Sequence, residues 1–213
     1  MKILLTGFEP FGDMAGNPSS ELIKWAEKER FAGAEIRTES LPVVYKTCAD
    51  KALQAVTEWE PDAVIHLGVA AGRSLINIER IAVNVEDAST LSDNSGDSPK
   101  DRPVEEGGPD GIFATLPVRD ITDRLQEAEV PAGLSYSAGT YICNTTLYRT
   151  LRFIEKQELS VQAGFVHVPL TPELAAEKGL PSMDLSVQKK ALTSIIQTVS
   201  KGGARYDQRK VKL

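Results

Sequence analysis

The sequence predicts an α/β protein: a single domain in three layers, αβα, around a twisted, mostly parallel mixed sheet. Three observations carry that prediction. Short apolar, β-branched runs alternate with segments of helical periodicity along most of the 213 residues. No internal repeat, low-complexity block or linker interrupts the alternation. The chain is 41% hydrophobic, enough for one sizeable core.

The elements follow in order. Residues 2 to 6 (KILLT) read as a buried strand. Asn17-Pro18-Ser19-Ser20-Glu21 opens a helix, with Asn17 or a serine as its cap. Pro18 fits the first turn, where a missing N–H costs nothing. Leu22, Ile23, Trp25 and Ala26 supply that helix's apolar face. Residues 34 to 44 suggest a strand ending near Pro42, and 46 to 59 a helix with Pro61 beyond its end. DAVIHLG, residues 62 to 68, is a second buried strand, and SLINIERIAVNVE, 74 to 86, alternates like one long strand. A helix is expected over 117 to 129, a strand over 132 to 142, a helix over 144 to 157 and a strand over 161 to 168. An amphipathic helix over 183 to 201 stops at Gly202-Gly203.

Between these elements the charge is uneven. Residues 86 to 110 carry eight acidic and two basic side chains among Gly, Pro, Ser and Asn. An acidic surface loop over about 86 to 112 is expected, either a lid or interface arm or simply solvated chain. The last stretch, about 203 to 213, is basic and reads as a loosely docked tail. Net charge is −6 and the pI near 5.1, which argues against general nucleic-acid binding. Charges interrupt every apolar run before 18 residues, so no membrane span is expected. MKILLTGFEPFG is too short and turn-rich for a signal peptide. That opening and only two cysteines favour a reducing cytoplasm with free thiols over a Cys48–Cys143 disulfide.

In parallel sheets ligand sites gather at the carboxyl ends of strands, and the reactive residues fall there. Cys143 lies in GTYICNTTLY, where a strand is expected to give way to a helix. A helix N-terminus offers unpaired N–H groups and partial positive charge, favouring a thiolate and an oxyanion. Position alone leaves two readings open: a nucleophile, or a cysteine filling a helix–sheet gap. Of the two histidines, His66 sits mid-strand in DAVIHLG and suits a hydrogen-bonded core residue. His167, in GFVHVP, ends the last strand on the edge where Cys143 lies and suits a general base. Glu79 shares strand parity with Asn77 and apolar Ile81, Val83 and Val85, so it needs a partner. An ion pair with Arg73 or Arg80 competes with a bond to His167 that orients the imidazole. Cys48, His66, Cys143 and His167 lack metal-site spacing, and TGFEPFG lacks a nucleotide-binding glycine pattern.

Set side by side, LLTGFEPFGDMAGNPS, GVAAGRSLINIERIAVN, GTYICNTTLY and GFVHVP give the chain a resemblance to the pyroglutamyl peptidase I family, also called pyrrolidone-carboxylate peptidases. The resemblance spans nearly the whole chain. It implies a phosphorylase/hydrolase-like α/β fold and a cysteine peptidase that removes N-terminal pyroglutamate (5-oxoproline) from peptides. It implies neither metal nor organic cofactor, and a homodimer or homotetramer. The family's catalytic glutamate, cysteine and histidine fall on Glu79, Cys143 and His167. Its pocket residues fall on Phe8, Phe11, Asn17, Val69, Tyr141 and Ile142. Phe8 and Phe11 read equally as core packing.

Two departures matter. Relatives commonly read D-A-R-I-P-D-N where this chain has Asp87-Ala88-Ser89-Thr90-Leu91-Ser92-Asp93-Asn94, without the arginine and one residue longer. Loss of an oxyanion donor there would slow turnover up to roughly 100- to 1000-fold unless Arg73 or Arg80 compensates. Many relatives also carry glutamine in place of Val69. A catalytically weakened pyroglutamyl-binding homologue is therefore the alternative, and a nucleoside- or phosphate-using α/β enzyme a more distant one.

Overall fold

The structure, a computed structural model, describes residues 1–88 and 91–202. The basic tail expected over 203 to 213 lies outside the described residues. In chain order the elements are β1 (Lys2–Phe8), α1 (Pro18–Ala26), β2 (Glu35–Leu41), α2 (Tyr45–Trp59), β3 (Ala63–Val69), β4 (Ile76–Glu79) and β5 (Ile81–Val83). There follow β6 (Gly111–Phe113), α3 (Val118–Glu127), β7 (Ala132–Ser135), α4 (Ile142–Lys156), β8 (Gln162–Val168), α5 (Pro172–Ala175) and α6 (Leu185–Ser200). The short α5, and the 3-10 turn Ala176–Lys178 after it, were not expected from the sequence.

Six strands form the sheet in the order β2-β1-β3-β8-β4-β7. All neighbours are parallel except β4 and β8. This is the mixed, mostly parallel sheet read from the alternation of elements. Strand residues divide between two cores by parity. Ile3 and Leu5, Ala63, Ile65 and Leu67, Ile76 and Ile78, and Val166 and Val168 pack with α1, α3 and α6. Leu4, Val64, Ala163 and Phe165 pack with α2 and α4 on the other face. Near-continuous burial of β1, β3 and β8 follows from having helices on both sides.

Three expected boundaries are corrected. The long strand over 74 to 86 is two strands. β4 stays in the main sheet, where Arg80 N donates a last rung to Ser135 O at 2.8 Å. β5 then leaves it and pairs antiparallel with β6. The buried carboxamide of Asn144 holds that departure: Oδ1 accepts from Val83 N at 2.9 Å, and Nδ2 donates to Val83 O and Val85 O. A period of two specifies a strand but not the sheet it joins. The strand expected over 132 to 142 stops at Ser135. Serine hydroxyls take over the backbone there: Ser137 N donates to Ser135 Oγ, and Gly139 N to Ser137 Oγ. The helix over 144 to 157 accordingly starts two residues earlier, at Ile142.

The acidic segment is wired rather than merely solvated. Glu86 bridges to Arg102 in a short antiparallel pair, and Arg102 also binds Asp97. Asp93 accepts from the amides of Tyr45, Ser95 and Asp97. The first of those bonds caps α2, whose own cap position, Val44, has no side-chain acceptor.

His66 is fully buried between Thr6 Oγ1, 2.7 Å from Nδ1, and Thr150 Oγ1, 3.0 Å from Nε2. Burial pushes its imidazole down to about 3. The folded-state value lies below the unfolded one, near 6.5, so the unfolded chain takes up the proton first. The associated stability is complete above that value and is lost as pH falls toward 3. At pH 5 the loss is about 2 kcal/mol. Urea unfolding at pH 7 and pH 5 tests this: His66→Gln should lose about 2 kcal/mol less than the parent protein over that interval. An identical pH dependence in both proteins contradicts it.

Candidate active site

Strand parity assembles the site. Ile76 and Ile78 face the α1/α3/α6 core, which turns Asn77 and Glu79 to the α4 side of β4. By the same rule Val166 and Val168 send Phe165 and His167 to the α4 side of β8. β4 and β8 are neighbours, with Asn77 opposite His167 and Glu79 opposite Phe165. Glu79 Oε1 and His167 Nδ1 lie 2.7 Å apart, both side chains buried. A carboxylate only accepts, so Nδ1 is the donor in this bond and Nε2 is the ring nitrogen not engaged by Glu79.

The competing ion pair is also present. Arg73 Nη1 donates to the same Glu79 Oε1 at 3.0 Å. The two sequence readings of Glu79 are thus simultaneous, because Arg73 reaches it from the turn after β3 and not from an adjacent strand position. Arg80 is placed elsewhere, its guanidinium 5.9 Å from the Phe113 ring.

Cys143 is the second residue of α4, within the turn whose N–H groups have no helical partner. Its residue is half-buried, whereas Cys48 is buried; both are free thiols. The sulfur rests over Gly68, which pairs with His167 across β3 and β8. A Cβ at Gly68 would stand 2.7 Å from Phe165 Cζ and 3.1 Å from Cys143 Sγ. Glycine therefore leaves the space that the sulfur and the Phe165 ring occupy. That ring lies 4.7 Å, between centroids, from the His167 imidazole.

Two influences on the Cys143 thiol oppose each other. Burial pushes the Cys143 thiol up to about 12, with Cys48 and the Glu79 carboxylate acting in the same direction. Its own backbone amide and Arg73 pull it down, but less. Burial thus works against the thiolate that the helix start favours.

Cys143 and His167 open into a cavity of about 190 Å³ lined also by Phe8, Phe11, Asn17, Val43, Val69, Ala70, Arg73, Ala138, Gly139, Tyr141 and Ile142. All six residues expected to form a pocket are in this wall. Phe8 serves the core as well: it is buried and stacks on Phe165 at 6.3 Å. Phe11 packs on Tyr141 at 6.0 Å, and Tyr141 meets Tyr45 edge-on at 5.5 Å. Asn17 both caps α1 and lines the cavity: Oδ1 accepts from Ser19 N and Ser19 Oγ, while Nδ2 donates to Glu9 O. Among the described residues, no aspartate or glutamate lines the wall.

The acidic segment closes one side. Tyr141 OH donates to Ser92 O, Asn94 N to Val43 O, and Asn94 Nδ2 to Pro10 O. Asp87 and Thr140 exchange two bonds, Asp87 N to Thr140 O and Thr140 Oγ1 to Asp87 O. Ser89, where relatives would carry the arginine, lies outside the described residues. Sequence reasoning did not place Gly68, Val43, Ala70, Ala138 or Gly139 at the site. Each is a small or apolar residue with no chemical signature of its own.

A sequence profile of the pyroglutamyl peptidase family matches residues 1–202. The pyrrolidone-carboxylate peptidase of Thermococcus onnurineus is 46% identical over 198 residues, covering 93% of this chain and 98% of that protein. Pyrrolidone-carboxylate peptidase 1 of Caldanaerobacter subterraneus subsp. tengcongensis is 41% identical over 205 residues, covering 96% and 100%. The crystal structure of pyroglutamyl peptidase I from Bacillus amyloliquefaciens superposes with a TM-score of 0.90 at 34% identity, over 93% of this chain and 94% of that one. With its sheet, its buried Glu–His pair and its cysteine at a helix start, the chain belongs to the pyroglutamyl peptidase family.

Proposed function

We propose that the protein is a cysteine peptidase that hydrolyses the bond after an N-terminal pyroglutamyl residue through a thioester. One observation carries the substrate: the cavity beside Cys143 and His167 is walled mostly by aromatic and aliphatic groups, with Asn17 and Arg73 as further polar members and, among the described residues, no carboxylate. A free amino terminus needs an anion or a metal to hold it; a flat neutral lactam needs apolar walls and a few hydrogen bonds. Phe8, Phe11, Tyr141, Ile142 and Val69 supply the walls. Asn17 has one amide proton beyond those bonded to Glu9 O, directed at the ring carbonyl in this reading.

As Cys143 Sγ attacks the carbonyl, its proton passes to His167 Nε2 and the imidazolium is held by Glu79. Unpaired N–H groups of the first turn of α4 bind the oxyanion. His167 returns the proton to the departing amine, leaving a pyroglutamyl thioester on Cys143. Water then gives a proton to His167 and its oxygen to the carbonyl, and the thiol is released with that proton. No metal or organic cofactor takes part.

Turnover, rather than binding by a weakened homologue, is the reading we adopt, since the Glu79–His167 bond and the open Cys143 support a working nucleophile. Family membership supports a homodimer or homotetramer, and two free thiols support a reducing cytoplasm. Among the described residues no helix is long and apolar enough to cross a membrane.

Release of aminomethylcoumarin from pyroglutamyl-coumarin tests the assignment. Wild type and Cys48→Ala should turn over, and Cys143→Ala should not. A fully active Cys143→Ala ends the proposal; a wild type stabilised by pyroglutamate yet without turnover establishes the binder instead. A methyl group on Gly68 must displace Sγ by several tenths of an ångström, and misplacement by about 1 Å costs on the order of 100-fold. Gly68→Ala should therefore lower kcat about tenfold. Gly164→Ala, whose Cβ would press on Leu116 in the opposite core, is the packing control and should keep its kcat. Equal effects of the two substitutions on kcat contradict the role of Gly68.

A further inference from the structure

The carboxylate that orients the imidazole has an unusual balance of partners. Glu79 has no exposure to solvent. Its Oε2 has no hydrogen-bond partner among the described residues, and Oε1 serves both His167 Nδ1 and Arg73 Nη1. A buried carboxylate is costly unless a cation faces it. In the proposed reaction the imidazole gains its charge when it receives the thiol's proton. Arg73 is charged throughout, so it is the permanent partner.

Arg73 reaches this place by a tight turn. β3 ends at Val69, Arg73 N donates back to Ala70 O at 3.2 Å, and Gly72 takes φ 88° between them. The guanidinium then forks. Nη1 also meets Ser135 Oγ at 3.3 Å, and Nη2 donates to Ser137 O at 3.2 Å. Ser135 ends β7, and the chain after it passes through Ala138 and Gly139 in the cavity wall before entering α4 at Ile142 and Cys143. One side chain thus touches the acid of the catalytic unit and the segment that leads to the nucleophile.

We infer that Arg73 is a positioning residue with two separable duties: its charge pairs with the Glu79 carboxylate and fixes it beneath His167, and its fork holds segment 135–139 against the substrate pocket. The assignment rests on the pyroglutamyl peptidase reading and adds to it the group that couples base to pocket. The duties separate because lysine supplies a point charge without the planar fork, whereas glutamine supplies hydrogen bonds without charge.

The experiment compares wild type, Arg73→Lys and Arg73→Gln with pyroglutamyl-coumarin, each rate divided by the folded fraction from circular dichroism at the assay temperature. Arg73→Lys should keep kcat within about fivefold and raise KM about tenfold, since Glu79 stays paired while the wall segment loosens. Arg73→Gln should lose about 100-fold in kcat. Either variant within threefold of wild type in both constants overturns the assignment. So does an equal fall of kcat in both variants, or a loss that disappears after correction for folding. Should Arg73→Gln fail to fold, the split between kcat and KM in Arg73→Lys decides alone. An inactive wild type would bring down the peptidase reading itself, whereas an active wild type with unaffected variants brings down only the role of Arg73.

Discussion

A carboxylate removed from water has to be held by something, and in this protein what holds it determines the layout of the site. Glu79 ends the short strand β4 and meets the histidine that ends β8 and the guanidinium that follows β3. The three groups come from three strands that lie side by side, β3, β8 and β4. β4 runs antiparallel to β8, with Asn77 opposite His167 and Glu79 opposite Phe165. Glu79 therefore approaches His167 from beside Phe165, across the ladder, rather than from the same strand terminus. The one antiparallel pair in the sheet is the pair that carries the base and its orienting acid.

Much of this was legible in the sequence. Apolar runs alternating with helical periods mark the layers, because strands buried on both faces read as continuous apolar runs. Cys143, His167 and Glu79 could be singled out by residue type and position, and strand parity alone separates Glu79 from Ile78. The remainder depends on contacts between distant segments. Asn144 ends the strand pairing of β4 by substituting for a strand partner of β5, and a carboxamide sixty residues away leaves no trace in a two-residue period. Asp93 caps α2 from a segment that composition marks as surface loop. The influences on the thiol divide in the same way: a helix start is visible in the sequence, but the burial that opposes it is created by folding.

The acidic segment has a place in this arrangement that its composition obscures. Some of its charges are spent close by: Glu86 and Asp97 on Arg102, Asp93 on backbone amides. What it presents to the pocket are backbone carbonyls and amides that tie Tyr141, Val43 and Pro10 together. Thr145, one helical turn past the cavity wall, donates to Glu86 and locks the segment onto α4. The strap thus fixes the aromatic wall and the nucleophile's helix to one another without contributing a charge to the cavity. That is the condition a neutral lactam requires.

The upward push of burial on the Cys143 thiol also suits a site that must tolerate an empty pocket. A standing thiolate next to a buried carboxylate would place two negative charges in a region of low dielectric, relieved by a single arginine. Keeping the proton on sulfur leaves Glu79 and Arg73 as a balanced pair. Moving it to His167 during attack creates the imidazolium against Glu79 while the negative charge migrates to the substrate oxygen, at the start of α4. Each new charge then arises beside a group already placed to meet it, so the low polarity that suppresses the resting thiolate also strengthens the interactions of the transition state. Gly68 allows this compactness, since any side chain there would separate the sulfur from the strand that carries the imidazole's neighbour.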